Sequence, residues 1–257
     1  MQRDSSTPAP NPTLIQRIFY PTGTSAYSVF MEYFRVIFTA VLIAIVFRTF
    51  VASPYKIPSS SMVPTLLIGD YLFVSKYIYG IPIPFSGGER WHETSPHRGD
   101  VVVFETSLNG TPTENYIKRV IGLPGDMVSY QHKQLFINGQ PIQLDDAGKD
   151  VYANTHETIT AARYIEHLGD IEHSIILRAD RPGQDVAPMR VPPDHYIVMG
   201  DNRDSSYDSR YWHYPSWSFV DKHDIVGRAE FIFWSWDQHF KPRFSRMFTT
   251  LHPKPEK

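Results

Sequence analysis

After Pro54 the chain never again sustains a long 3.6-residue hydrophobic period, which leaves an all-β domain as the reading of everything that follows. Short segments rich in Val, Ile, Tyr and Phe alternate instead with Gly, Pro, Asp and Asn. They are Tyr71–Val74, Val101–Phe104, Tyr116–Ile121, Gln134–Ile137, Ser174–Leu177, His195–Met199 and Ala229–Trp234. Branched and aromatic side chains suit a pleated, half-buried surface, and the punctuating residues suit turns. The 257 residues include 21 prolines, above the ordinary ~5%, and proline disrupts helix interiors and central strands alike. The expectation is a mainly β, antiparallel domain over residues 53–257, with many loops and edge strands. The polar, uneven stretch from about Asp145 to Pro193 reads as hairpins with long loops.

The exception lies before Pro54. Between Tyr33 and Ala52 the only charges are Arg35 and Arg48, and Val36 to Phe47 is an unbroken apolar run of 12 residues. A bilayer span takes ~20 residues, and a run of 10–14 also suits a buried helix or a signal-peptide core. The flanks favour a transmembrane helix over residues 28–52. Arg35 and Arg48 can snorkel to the interface, Tyr33, Phe34 and Phe50 sit where interfacial aromatics belong, and no small-x-small cleavage site lies near Val51. Residues 1–27, rich in Pro, Ser and Thr, read as a flexible tail. Arg3, Arg17 and Arg35 before the run, against Arg48 and Lys56 after it, lean slightly toward an N-terminus inside.

Charge and composition narrow the chemistry. The 25 basic and 27 acidic residues give a net charge of −2, without the basic excess of a nucleic-acid binder. The absence of cysteine excludes a disulfide framework, a thiol nucleophile, an iron–sulfur cluster and a Cys-ligated zinc site. His92 and His97 are five apart beside Pro96, whereas a zinc-protease helix needs i and i+4. Neither a metal nor an organic cofactor is expected. Arg98-Gly99-Asp100 reads as a turn feeding the strand Val101–Phe104, and Asn109-Gly110-Thr111 fits the short glycosylation pattern. Ser53-Pro54-Tyr55-Lys56 fits the S-x-x-K of penicillin-recognising enzymes, although Pro54 intervenes and no K-T-G follows. It supplies a second reading, an acyltransferase using Ser53 and Lys56. A third is a non-catalytic, membrane-anchored β scaffold of an export complex.

Three segments carry chemistry together: Ile57-Pro58-Ser59-Ser60-Ser61-Met62-Val63-Pro64-Thr65-Leu66 with Ile68-Gly69-Asp70; Arg98 to Phe104 followed by Tyr116-Ile117-Lys118-Arg119-Val120-Ile121-Gly122-Leu123-Pro124-Gly125-Asp126; and Gly200-Asp201-Asn202-Arg203-Asp204-Ser205-Ser206-Tyr207-Asp208-Ser209-Arg210. A serine-rich turn bracketed by prolines can present a hydroxyl, which needs a base to become a nucleophile. No histidine stands at a recognisable triad position. A lysine can be that base only when neutral, and burial lowers its pKa from ~10.4, by up to 3–5 units when complete. Strand alternation puts Tyr116, Lys118 and Val120 on one face, so Lys118 would point between an aromatic and a β-branched residue. The plain alternative is a surface lysine on an edge strand.

Taken in order behind an apolar anchor, the three segments resemble the sequence boxes of type I signal peptidases, membrane-anchored Ser/Lys proteases that remove signal peptides from exported proteins. The resemblance runs from about residue 54 to residue 236. It implies a β-sheet catalytic domain with an N-terminal membrane helix and no cofactor. Ser61 would be the nucleophile and Lys118 the general base. Ser59, with the backbone N–H of Ser61, would hold the oxyanion, and Ser206 would orient the lysine amine. Asp208 and Arg210 would form a structural ion pair nearby, and Asp201 would pair with Arg119. Tyr55, Ile57, Met62, Leu66, Tyr116 and Ile117 would line shallow pockets for small substrate side chains, with Met62 and Leu66 alternatively plain core. The partners implied are signal-bearing preproteins and the lipid bilayer, with transient contact with the secretion translocon. The tail would lie in the bacterial cytoplasm and the catalytic domain on the outer, periplasmic side of the inner membrane. Trp212, Trp217, Trp234 and Trp236 divide between the β core and loops at the lipid surface, at least half of them core.

Overall fold

The computed structural model describes residues 26–46, 52–83, 86, 90–107, 113–153, 158–251 and 254–255. Helix α1, Ala26–Val46, has 21 residues and so spans about 31 Å at 1.5 Å per residue, close to the ~30 Å hydrocarbon core of a bilayer. Its window Tyr27–Ile45 has a mean hydropathy of 1.8. Phe30, Phe34 and Phe38, spaced i and i+4, stack down one side with ring centroids 6.4 and 6.1 Å apart. The helix begins earlier than expected from the apolar run, and Ala52 is already strand. Residues 1–25, Arg48, Phe50 and Asn109-Gly110-Thr111 lie outside the described residues.

The β unit is built on a seven-stranded sheet. Its strands are β1 (Ala52–Lys56), β2 (Asp70–Ser75), β3 (Val101–Thr106), β4 (Glu114–Gly122), β11 (His195–Met199), β12 (Ile225–Ser235) and the short Val220–Asp221; between β4 and β11 the chain forms β5 to β10. The spatial order is β1-β2-β12-β3-β4-β11 and then Val220–Asp221. The last long strand thus closes the gap between β2 and β3, and β4, which carries Lys118, is central. Strands β5 (Met127–Gln131) and β6 (Gln134–Ile137) pair with each other and with β10 (Val186–Arg190) in a second sheet.

All seven segments read as strands from the sequence are strands, most of them a few residues longer. The stretch after Asp145 forms hairpins as expected, but with more strand and less loop: β7 (Leu144–Ala153), β8 (Thr158–His167) and β9 (Ile171–Leu177), of ten, ten and seven residues, make an antiparallel sheet. A register shift between Asp146 and Lys149, with Gly148 at φ +90°, interrupts the alternation that would have revealed it.

Ser53 and Lys56 both lie on β1, opposite Val74 and Tyr71. Three residues apart on a strand, they point to opposite faces, Ser53 buried and Lys56 exposed. The acyltransferase reading is therefore removed by geometry. Arg98-Gly99-Asp100 is the expected turn: Asp100 N–H donates to His97 O at 3.1 Å, and its carboxylate accepts from Tyr79 OH at 2.8 Å.

Candidate active site

The serine turn grows out of the β1–β2 ladder. Ile57 N–H donates to Asp70 O at 2.8 Å and Gly69 N–H to Ile57 O at 3.0 Å, closing a loop whose interior holds residues 58–68. Within it, Leu66 N–H bonds Met62 O at 2.9 Å, one helical turn that lifts Ser61 to its head. Asp70 locks the base of the loop. Its buried carboxylate accepts from Leu67 N–H at 2.8 Å, Ser235 Oγ at 2.6 Å and Arg246 Nη2 at 2.6 Å. Gly69 is required there by its φ of +91° and because a Cβ would lie 2.2 Å from Trp236 O.

Lys118 reaches the turn from β4. Its Nζ is 3.0 Å from Ser61 Oγ and 2.9 Å from Ile117 O, and it lies 5.9 Å from the Tyr116 ring centroid. The residue is 4% exposed. Burial lowers the amine from 10.5 to about 8, although Asp208 and Asp201 act against that by favouring the cation. Ser59 Oγ stands 3.3 Å from Ser61 Oγ.

The third segment reaches the same point through strand register. Met199 of β11 is paired with Arg119 of β4, so the next residue, Gly200, emerges level with Lys118. A Cβ at Gly200 would lie 2.4 Å from Ser61 O and 2.2 Å from Ser206 Oγ; only the missing side chain lets the three segments meet. Asn202 then fastens the serine turn, its N–H donating to Ser61 O at 3.1 Å and its Nδ2 to Ser60 O at 3.0 Å.

Two buried ion pairs flank Ser61 and Lys118. Arg119 Nε and Nη2 donate to Asp201 at 2.8 and 2.6 Å, and Arg210 Nε and Nη2 to Asp208 at 2.9 and 2.8 Å. Burial by itself would raise both carboxyls, yet the facing guanidinium holds each below its ordinary range. Asp208 also accepts Gly200 N–H at 2.9 Å. Ser206 Oγ is buried against Gly200 and faces the Asp208 carboxylate, and the expected contact with the lysine amine is not made.

Of the residues expected to line pockets, Ile57, Met62 and Leu66 sit in the core cluster with Leu72, Val101 and Ile232, and Tyr55 and Ile117 pack against it half-buried. Met62 and Leu66 are 1% and 0% exposed, which leaves Tyr55 and Ile117 as the members on this cluster with surface to offer, alongside half-buried Tyr116. Tyr116 faces the opposite cluster, with Phe104 and Trp212 at 6.0 and 6.3 Å.

Sequence reasoning missed Gly200 and Asn202 as contacts of the serine turn, and it missed Glu166. Glu166, on β8, is fully buried and grips Arg203 with both oxygens. Burial opposes its ionisation, but the Arg203 guanidinium overrides this and holds it far below the usual carboxylate range. Together with Ile176 N–H donating to Asp201 O at 3.0 Å, this ties the β7–β9 sheet to the third segment. Only the glycine carried a legible signal, a Gly directly following a strand.

Comparison with known proteins shows the family to which the chain is similar. A family model described as "Signal peptidase, peptidase S26" matches residues 30–234. Signal peptidase I of Pseudomonas fluorescens is 41% identical over 231 residues, 84% of this chain and 78% of that one. Its counterpart in Pseudomonas aeruginosa is 36% identical over 250 residues, 93% and 83% of the two chains. Signal peptidase I of Leptolyngbya laminosa is 33% identical over 239 residues, 91% and 93%. The crystal structure of a signal peptidase I from Enterococcus faecalis V583 aligns at 27% identity over 52% of this chain and 97% of that one, with a TM-score of 0.30.

Proposed function

The chain belongs to the signal peptidase family, peptidase S26, and is a serine peptidase of signal-bearing preproteins; from that premise we propose that it cuts them with a Ser61–Lys118 dyad through an acyl-enzyme. The observation that carries this reading is a buried amine 3.0 Å from a serine oxygen, its pKa lowered to about 8. Once neutral, the amine turns its lone pair to the hydroxyl and accepts the Ser61 proton as Oγ attacks the carbonyl carbon. Ser59 and the Ser61 N–H stabilise the oxyanion; losing one such donor typically costs roughly 10²–10³ in rate. As the C–N bond breaks, Lys118 passes its proton to the leaving amine. It then takes a proton from water, which attacks the ester, and returns that proton to Ser61.

The substrate would lie extended against the serine turn and β4, adding backbone hydrogen bonds in the manner of an extra strand. Tyr55 and Ile117, over the Ile57–Met62–Leu66 floor, would receive the small side chains before the cut. Ser206 would move onto the lysine amine only when substrate displaces neighbouring groups, its role being to orient Nζ.

Helix α1 would anchor the enzyme, with residues before it in the cytoplasm and the β unit on the outer side of the inner membrane. Sharing a membrane with the substrate raises their effective concentration, and transient contact with the translocon would follow from where substrates emerge. Trp212 and Trp217 are buried, whereas Trp234 and Trp236 are half-buried and Phe240, Phe244 and Phe248 are exposed, a set suited to the lipid interface.

The test is incubation of the detergent-solubilised protein with a signal-bearing precursor and mass spectrometry of the products. One cut after a small residue is expected from the wild type, and a loss of at least about 10⁴-fold from Ser61→Ala. An active Ser61→Ala variant would return the protein to the scaffold reading or to another nucleophile. Because the base must be neutral, kcat/KM should rise with pH through about 8. Gly200→Ala should lower kcat by about 10²-fold or more, since it displaces the Ser61 backbone and a 1 Å misplacement can have that effect. Steady-state kinetics on the folded variant would check this, and an unchanged kcat would refute the close approach.

A further inference from the structure

Beside the dyad lies a groove whose charge the proposed mechanism leaves unused. Ser59 and Ser60 border it on one side and Ser206, Tyr207 and Arg181 on the other, around a volume of about 500 Å³. The Asp204 carboxylate at its edge is buried and already neutralised by Lys133 Nζ at 2.8 Å, with Arg178 N–H at 2.7 Å. Neighbouring Asp180 is held by Arg178 at 3.0 and 2.6 Å. Arg181 is exposed. Its hydrogen bond to the fold is a long one, 3.4 Å to Asp204 O, and no carboxylate among the described residues is in ion-pair contact with it. The groove therefore presents one accessible guanidinium, felt by Asp180 through space but in ion-pair contact with no carboxylate among the described residues, across from Ser59 and Ser60 of the serine turn.

The apolar residues assigned above to the substrate side chains before the cut, Tyr55 and Ile117, do not border this groove. The groove past Ser59 and Ser206, along Tyr207 and Arg181, is open to the segment that follows those residues in the substrate. Resting on the proposed function, we infer that Arg181 reads a carboxylate in the first few residues after the scissile bond, so that precursors carrying Asp or Glu there are cut faster than those carrying Lys. A planar guanidinium suits a carboxylate bidentately, and a like charge is repelled. Because Arg181 is exposed, the discrimination is modest, about three- to tenfold between Glu and Lys, and it shrinks as salt screens the charges.

The experiment compares kcat/KM for precursor peptides that differ only in Glu, Gln or Lys at successive positions after the cut, with wild type, Arg181→Gln and Arg181→Glu. The Gln peptide is the reference within each enzyme, so a general loss of activity cancels from the ratios. The wild type should rank Glu above Gln above Lys at one or two positions; Arg181→Gln should flatten the ranking, and Arg181→Glu should reverse it. The same ranking in all three enzymes, or none in the wild type, overturns the role of Arg181 while leaving the peptidase reading intact. A wild type that cuts none of the peptides overturns both.

Discussion

Lys118→Met is expected to abolish precursor cleavage while making the folded protein more stable at neutral pH. The loss of activity follows from removing the only base within reach of Ser61 among the described residues, and roughly 10⁴–10⁶-fold is the scale for such a member of a catalytic unit. The gain in stability follows from the same burial that makes the lysine useful. A depression from 10.5 to about 8 corresponds to roughly 3 kcal/mol spent on burying the cation. Losing the hydrogen bonds to Ser61 Oγ and Ile117 O takes part of that back, leaving a net gain of about 1–3 kcal/mol. The sign is fixed by proton linkage. Below pH 8 the native state carries the whole penalty. Between 8 and 10.5 the unfolded chain binds the proton and the native state does not, so wild-type stability climbs with pH; above 10.5 the penalty is gone. The advantage of Met should thus be largest below pH 8 and fade towards 10.5, as read by urea unfolding of both proteins at several pH values. Lys118→Arg should be equally inactive but destabilised, because its charge cannot be removed. A Met variant that is less stable than wild type at pH 7 would mean that the amine is not buried.

Asp208→Ala is expected to be the most destabilising single change near the site. Arg210 is fully buried, and the substitution removes its bidentate partner together with the acceptor for Gly200 N–H. Breaking a buried pair from one side costs about 3–5 kcal/mol, against a total stability of about 5–15. Replacing both partners, Asp208→Leu with Arg210→Met, should recover much of the loss, since no charge is then stranded. The cycle of single and double variants in denaturant measures the coupling. In whatever remains folded, the rise of activity with pH should move below 8, because Asp208 favours the charged form of Lys118. A loss under about 1 kcal/mol, the scale of an exposed pair, would contradict the burial of this one.

How much of this was legible in the sequence depends on the range of the interactions involved. Alternation along one strand is local, and it correctly put Tyr116, Lys118 and Val120 on one face. It could not show that β11 ends beside Lys118, because the Met199–Arg119 pairing joins residues far apart in the chain. That pairing is what gives Gly200 and Asn202 their contacts with Ser61. In the β7–β9 sheet only Ser174–Leu177 is legible as strand; the polar residues and the bulge at Gly148 hide the length of the other strands, and with them Glu166, whose purpose is visible only once Arg203 is buried against it. For Met62 and Leu66 the sequence leaves pocket lining and plain core both open; the turn that carries Ser61 drives both into the core.

The claim on which the mechanism stands is that the Lys118 amine loses its proton near neutrality inside the folded protein. It is tested most directly by a ¹⁵N NMR titration of Lys118 Nζ in the detergent-solubilised full-length chain, assigned by the signal missing from Lys118→Arg. A midpoint at about 8 is the predicted result. A midpoint near that of a free lysine, ~10.4, would mean a cation at working pH and would leave Ser61 without its base.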